Sequence, residues 1–166
     1  MTIKVGDKVP SVTLRYLTPE GPKAISSDEF FSGKKVVLFG LPGAFTRTCS
    51  ERHLPSYVTH APELKAKGID TIACLAVNDP FVMGAWGKQH AADDKVVMLG
   101  DGSGDFTRAI GLELDRIKEG MGVRSQRYSM LVASTIGTDR MISTHGNSAL
   151  RARVSATEKS STAAPI

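Results

Sequence analysis

The sequence predicts an α/β domain, a largely parallel central sheet flanked by helices. Four short apolar runs bounded by turn residues, Lys35–Gly40, Asp70–Val77, Val96–Leu99 and Tyr128–Ala133, have the length and composition of buried strands. Segments with helical spacing or helix-start signals lie between them, and strands alternating with helices at this spacing imply βαβ units. The length bounds the answer, since 166 residues make one domain that can bury a continuous core without crosslinks.

Residues 1–24 alternate apolar positions at Val9, Val12, Leu14 and Tyr16, as a half-exposed strand or hairpin does. Ser26 followed by Glu29 reads as a capping box for a short helix through Phe30 and Phe31, which Gly33 ends. Past Lys35–Gly40, helix-forming residues begin near Cys49, are interrupted at Pro55, and resume through Tyr57, Val58, Ala61 and Leu64 to Gly68. Pro55 lacks a donor and crowds the preceding turn, so a kink or restart is expected there. Asn78-Asp79-Pro80 supplies an N-cap and a first-turn proline for a helix through Trp86 to about His90, with Met83 and Trp86 as core or interface positions. Asp101–Gly104 is an exit turn and Phe106–Ile110 a short helix. Gly111–Arg124, with three glycines and little periodicity, reads as mostly loop. Residues 1–133 therefore hold the domain. The segment 134–166 is atypical: one strand fits at Asp139–Thr144, and the composition then turns to that of a poorly ordered chain.

Composition excludes several classes of function. Two cysteines are too few for a disulfide framework, so each is read by itself. The N-terminus carries no apolar leader and no run approaches the roughly 20 residues of a membrane span, so no membrane association and a reducing cytoplasm are expected. The net charge is +4, but four basic against two acidic residues from Asp139 onward carry half of that excess, and no basic stripe interleaves with aromatics. Nucleic acid is not expected as a partner. His60, His90 and His145 have no metal-ligand spacing with either cysteine, and the Asp101–Asp105 stretch is a turn before it is a cation loop. No metal and no cofactor are expected.

The chemistry concentrates in Leu41–Tyr57, LPGAFTRTCSERHLPSY, where an apolar strand breaks at a Gly-Leu-Pro-Gly turn and a helix begins. Cys49 falls where unpaired backbone N–H groups and the helix dipole favour an anion. It follows a strand-ending loop, so partial exposure is expected, and Thr46, Thr48 and Ser50 place hydroxyls around it. A free thiol is only a few per cent thiolate at neutral pH. Making it mostly thiolate takes about 2.7 kcal/mol of differential stabilisation, more than a helix start and hydroxyls supply, so a nearby cation is expected. Position alone leaves a small buried core cysteine equally open.

Pro42, three residues, Thr46, two residues, Cys49 is the motif of the peroxiredoxins, and the full string resembles their type II (type-five) subgroup. Three further blocks agree in order and spacing: AVNDPFVMGAW at 76–86, LGDGSGDFTRAIGLELD at 99–115 and GVRSQRYSML at 122–131. The resemblance covers roughly residues 3–133. It implies a thioredoxin-like fold and a thiol-dependent peroxidase acting on hydrogen peroxide and small alkyl hydroperoxides. By the same resemblance Cys49 would be the peroxidatic cysteine, passing through a sulfenic acid. Thr46 would hydrogen-bond peroxide and thiolate through its hydroxyl, and Pro42 would shield the pocket from water. Arg127 would be the missing cation, with Arg124 the competing candidate. A homodimer, and glutaredoxin, glutathione or thioredoxin as reductant, are implied in the same way.

Cys74, 25 residues after Cys49, matches the resolving position of plant-like type II members, yet a cysteine inside an apolar run is normally buried and inert. It would bridge to Cys49 only if the Cys49 helix unwinds, because a disulfide needs Cα atoms within about 7 Å. Resolution by Cys74 and by an external thiol stand equal. The chain departs from the subgroup twice. Arg47 replaces a proline between Thr46 and Thr48, adding positive potential beside Cys49 or pointing to solvent, and Ser134–Ile166 lacks the subgroup's closing pattern of a strand, a glycine-rich turn and an amphipathic helix in succession. Two rival readings remain: a cysteine hydrolase or acyltransferase pairing Cys49 with His53, four residues on, and a non-catalytic redox-sensing protein.

Overall fold

The computed structural model describes residues 1–135 and 138–145. In chain order they form β1 (Thr13–Thr18), β2 (Gly21–Ser26), α1 (Ser27–Phe31), β3 (Lys35–Gly40), a π-helical turn (Cys49–His53), α2 (Leu54–Ala66), β4 (Thr71–Ala76) and α3 (Pro80–Gln89). There follow β5 (Val97–Gly100), α4 (Asp105–Ala109), β6 (Glu113–Arg116), β7 (Gly122–Ser125), β8 (Tyr128–Thr135) and β9 (Thr138–His145). The seven-stranded sheet runs β2-β1-β5-β4-β3-β8-β9. Its centre, β5-β4-β3, is parallel, with α2 and α3 as crossovers, while the strands outside that centre pair antiparallel. The fold is α/β and thioredoxin-like, and the apolar runs of the sequence mark its buried strands.

Strand alternation divides the core into two layers. Val37, Phe39, Ile72, Cys74, Ala76 and Met98 point to one face, where Leu54, Tyr57, Ala61 and Leu64 of α2 and Met83 and Trp86 of α3 cover them. Val36, Leu38, Ala73, Leu75 and Leu99 point to the other, under Phe30 and Phe31 of α1 and Phe106 of α4. Removing a side chain the size of Phe39 or Leu38 from water contributes about 1.5–3 kcal/mol, which is why these runs settle in the middle of the sheet. Met83 and Trp86 are both core residues.

Local signals act as their chemistry requires. The Ser26 hydroxyl accepts from the Glu29 N–H at 3.1 Å and caps α1, and Asp79 accepts from the Val82 N–H at 2.9 Å and caps α3. Pro55 neither breaks nor restarts the helix with a gap. Instead the turn before it widens, with the Leu54 N–H bonding the Cys49 carbonyl, and α2 continues from there. The stretch Gly111–Arg124 corrects the sequence reading. It is not mostly loop: β6 and β7 pair antiparallel from Glu113↔Ser125 to Arg116↔Gly122. Two four-residue strands made largely of polar residues leave too little apolar alternation to be read.

At the far edge β8 continues past Ala133 to Thr135 and β9 pairs with it, so residues 139–144 do lie in a strand. Residues 6–9 cover the outer edge of β9, with the Gly6 N–H to Met141 O at 2.8 Å and the Val9 N–H to Asp139 O at 3.1 Å, and Met141 is fully buried. The composition shift read beyond His145 lies outside the described residues. Among the described residues, no helix is long and apolar enough to cross a membrane.

One packing contact sets a firm prediction. Gly40 pairs with Tyr128 across β3 and β8, and a Cβ at Gly40 would lie 2.1 Å from Tyr128 Cε1. Gly40→Ala must therefore displace the Tyr128 ring. The expected loss of stability is about 1–3 kcal/mol in urea unfolding, and an unchanged midpoint would contradict this packing.

Candidate active site

Cys49 is reached by following β3 out of the sheet. Leu41 still bonds into it, its N–H to Leu75 O at 3.2 Å, and Pro42, Gly43 and Ala44 are buried. Phe45 then adopts a left-handed backbone, φ 63°, which a phenylalanine does not favour. The Ser50 N–H bonds Thr46 O at 3.0 Å, so the helical chain starts at Thr46 and Cys49 stands in its first turn. The expectation of partial exposure is overturned. Cys49 has no exposed surface, since its turn packs against Phe39, Leu41, Leu54 and Trp86 in one apolar cluster.

The hydroxyls around it are already engaged in part. Thr46 Oγ1 donates to Gly43 O at 2.9 Å. With that proton in use, the hydroxyl presents lone pairs, so it accepts from a partner and does not donate to a thiolate. Ser50 Oγ accepts from the Trp86 indole N–H at 3.0 Å, which ties the Cys49 turn to α3. Thr48 is exposed.

Two arginines approach the loop from the β7–β8 region. Arg127 Nη1 stands 3.3 Å from His53 Nδ1, on the same turn as Cys49. Arg124 donates from Nε to Met121 O at 2.6 Å and from Nη1 to Val77 O at 3.2 Å. The same Nη1 lies 3.2 Å from where a Gly43 Cβ would be, so Arg124 props the Pro42–Thr46 loop, while Arg127 reaches the turn. Arg47 points to solvent, its side chain 89% exposed and paired with Glu51 at 3.3 Å. Of the two readings open for it, solvent is the one observed.

His53 is buried against the rings of Phe39 and Tyr57, and burial first, then the Arg127 charge, pushes its pKa from 6.5 down to about 4. A neutral imidazole whose Nδ1 faces a guanidinium has no basicity to lend a neighbouring thiol. That removes the Cys49–His53 hydrolase pairing. Cys74 lies on β4 beside Phe39, on the same face of the sheet as Cys49. It is fully buried, and burial, with repulsion from Cys49 second, pushes its thiol well up. Both cysteines are free.

Asn78 escaped the sequence reading. Its Oδ1 accepts the Ala44 N–H at 3.0 Å and pins the active loop to the end of β4. A side chain bonded to a backbone 34 residues away leaves no local pattern to read. Asp101 accepts from the Phe106 N–H, the Thr107 N–H and the Thr107 hydroxyl, so its carboxylate serves α4.

The family model described as Redoxin matches residues 4–136. Peroxiredoxin-2E, chloroplastic, of Arabidopsis thaliana is 52% identical over 134 residues, covering 78% of this chain and 57% of its own length. Peroxiredoxin-2D of the same plant is 48% identical over 131 residues, covering 78% of this chain and 81% of its own. The chain belongs to the type II peroxiredoxins. Among solved structures, reduced Prx3 of Vibrio vulnificus in complex with H2O2 superposes on this peroxiredoxin with a TM-score of 0.83 at 43% identity, covering 93% of this chain and 99% of that one. As a peroxiredoxin the chain is a thiol-dependent peroxidase, an oxidoreductase.

Two predictions follow from these bonds. Asn78→Ala leaves the buried Ala44 N–H without its acceptor, and a loss of about 1–3 kcal/mol is expected in denaturant titration; a change within about 0.5 kcal/mol would contradict the role given to Asn78. For His53, the folded state keeps the ring neutral while the unfolded chain takes up a proton near pH 6.5. The stabilisation is therefore complete above pH 6.5 and is lost as pH falls towards 4, on the order of 3 kcal/mol in all. Wild type should lose more stability over that window than His53→Leu, and parallel curves would exclude it.

Proposed function

We propose that Cys49 is the peroxidatic nucleophile and that this peroxiredoxin reduces hydrogen peroxide and small alkyl hydroperoxides at the Cys49 turn. The single observation that carries the reading is the convergence on that turn of the Pro42–Thr46 loop and the Arg127 guanidinium, held at 3.3 Å from His53. The Cys49 thiolate attacks one peroxide oxygen along the O–O bond. A sulfur–oxygen bond forms, the O–O bond breaks, and the second oxygen leaves as hydroxide or alkoxide, which takes up a proton to become water or an alcohol. Sulfur is oxidised by two electrons to the sulfenic acid and the peroxide is reduced by two.

Each site residue has a share in that step. Thr46, its own proton engaged by Gly43, accepts from the peroxide O–H and so orients the molecule for attack. Arg127 supplies positive charge where negative charge gathers on the leaving oxygen. Buried Pro42 closes the pocket to bulk water.

A second thiol then condenses with the sulfenic acid, forming a disulfide and releasing water. For this step we favour an external thiol, from glutaredoxin, glutathione or thioredoxin. Cys74 shares the face of Cys49 but is fully buried with its thiol pushed up, so in the folded state it is a poor nucleophile. A homodimer fits as well: Phe45 and Phe81 are each more than half exposed, on two segments that Asn78 joins. The free thiols fit any reducing compartment, the cytoplasm included, and one close relative is named chloroplastic.

Peroxide consumption with dithiothreitol, then with glutaredoxin and thioredoxin systems, tests the reading. Cys49→Ser should abolish turnover, and undiminished consumption by that variant would refute it. Arg127→Gln should lower the second-order rate constant on the order of 10²- to 10³-fold. Cys74→Ser should keep full turnover with at least one external thiol, whereas a loss with all three would assign resolution to Cys74.

A further inference from the structure

Arg127 is an exposed residue whose side chain has one hydrogen-bonding partner among the described residues, His53 Nδ1, and no carboxylate pairs with it there. A cation with a single anchor swings into water when the anchor is lost. We propose that His53 is a positioning residue that holds Arg127 over the Cys49 turn without neutralising its charge. This rests on the assignment of Cys49 and Arg127 given above and deepens it.

The chemistry of the acceptor matters here. A carboxylate at this place would hold a guanidinium firmly, but its negative charge would cancel much of the field that the thiolate and the leaving oxygen need. A neutral imidazole accepts the N–H through its lone pair and leaves the arginine fully cationic. His53 stays neutral because it is buried against Phe39 and Tyr57 and faces Arg127. With Nδ1 as acceptor the ring proton resides on Nε2, which is buried and has no partner among the described residues. Leaving that donor unbonded has a cost in stability, the mark of a polar group retained for function.

The placement on the chain adds a second consequence. His53 closes the π-helical turn that Cys49 opens, with the Leu54 N–H bonded to the Cys49 carbonyl. The thiol and the anchor of its cation therefore belong to one local unit. When that turn unfolds, the arginine is released together with the sulfur, so activation of the thiol is conditional on a folded turn.

The experiment uses the full-length chain with two substitutions. His53→Leu keeps apolar volume and removes the acceptor, while His53→Asn places Oδ1 near the position of Nδ1 and keeps one. Three quantities are read: the second-order rate with hydrogen peroxide, the pH dependence of Cys49 alkylation by iodoacetamide, and the same rate in an Arg127→Gln background. His53→Leu is expected to slow the peroxide reaction on the order of 10- to 100-fold and to move the alkylation profile to higher pH. His53→Asn is expected to recover most of both, and His53→Leu to add little once Arg127 is already Gln. A folded His53→Asn as slow as His53→Leu would overturn the proposal, and so would equal slowing with and without Arg127. If Arg127→Gln itself leaves the rate unchanged, the assignment of Arg127 falls first. If Arg127→Gln slows the reaction and His53→Leu does not, only the role of His53 falls.

Discussion

The sulfur proposed to act as an anion is buried among apolar side chains, and the rest of the site answers that conflict. Cys49 has no exposed surface and shares a cluster with Phe39, Leu41, Leu54 and Trp86. A charge placed there loses its hydration, at a cost of several kcal/mol unless fixed dipoles and cations replace the water. No single element supplies all of these groups. The sheet collects them: β3 and β4 are parallel and finish at one edge, and β8, antiparallel to β3, begins at that edge with Tyr128 opposite Gly40. Cys49 follows the end of β3, Asn78 the end of β4, and Arg127 precedes the start of β8. A slip of one residue between β3 and β8 would turn Tyr128 away from Gly40 and carry Arg127 off the turn.

The packing beneath the turn keeps those strands and α2 in fixed relation. Tyr57 stacks on Phe39 with ring centroids 3.8 Å apart and planes 2° from parallel, and its hydroxyl is 2.6 Å from Ser129 Oγ on β8. The helix that follows Cys49 and the strand that follows Arg127 are thereby joined by a buried aromatic and a buried hydrogen bond. His53 rests against both rings of that stack. A core contact of this kind is usually credited to stability alone. Here it also fixes where the imidazole stands, and so the position of the Arg127 guanidinium bonded to it.

The buried strands were legible because a strand covered on both faces reads as an unbroken apolar run, as Val36–Phe39 does. Caps at Ser26 and Asp79 were legible for the opposite reason, since they act within three residues of their own position. The Pro42, Thr46 and Cys49 motif and the block around Arg127 carried the resemblance, and with it the family. What escaped was long in range or low in contrast. Asn78 reads as part of a helix start and serves a loop before the previous helix. β6 and β7 are too short and too polar to show a period. The burial of Cys49 was one of two readings that position left open, since a loop of glycine and proline usually lies at the surface, whereas here Pro42–Ala44 are themselves buried.

In the proposed reaction the same turn holds the sulfur firmly for the first step and releases it for the second. Its construction suits both. On one side it is fastened by the Trp86 to Ser50 bond and by Arg127 to His53. On the other, Phe45 carries the strain of a left-handed backbone, on the order of 1–2 kcal/mol, and the following turn is π-helical, closed by a longer loop than an α-helix uses. Pro55, without an N–H, cannot add the bond that would tighten it. Arg47 weakens the start further: a proline there would preset the helical φ, whereas arginine has to be ordered from a freer unfolded chain, and its exposed pairing with Glu51 returns little of that. A sulfenic acid on Cys49, as proposed above, would be shut away from any thiol in solution while the turn is folded, and Cys74 is as deeply buried as Cys49 itself. A turn held by a few polar bonds over a strained loop opens at a modest cost, and that opening lets a buried sulfur meet its reductant.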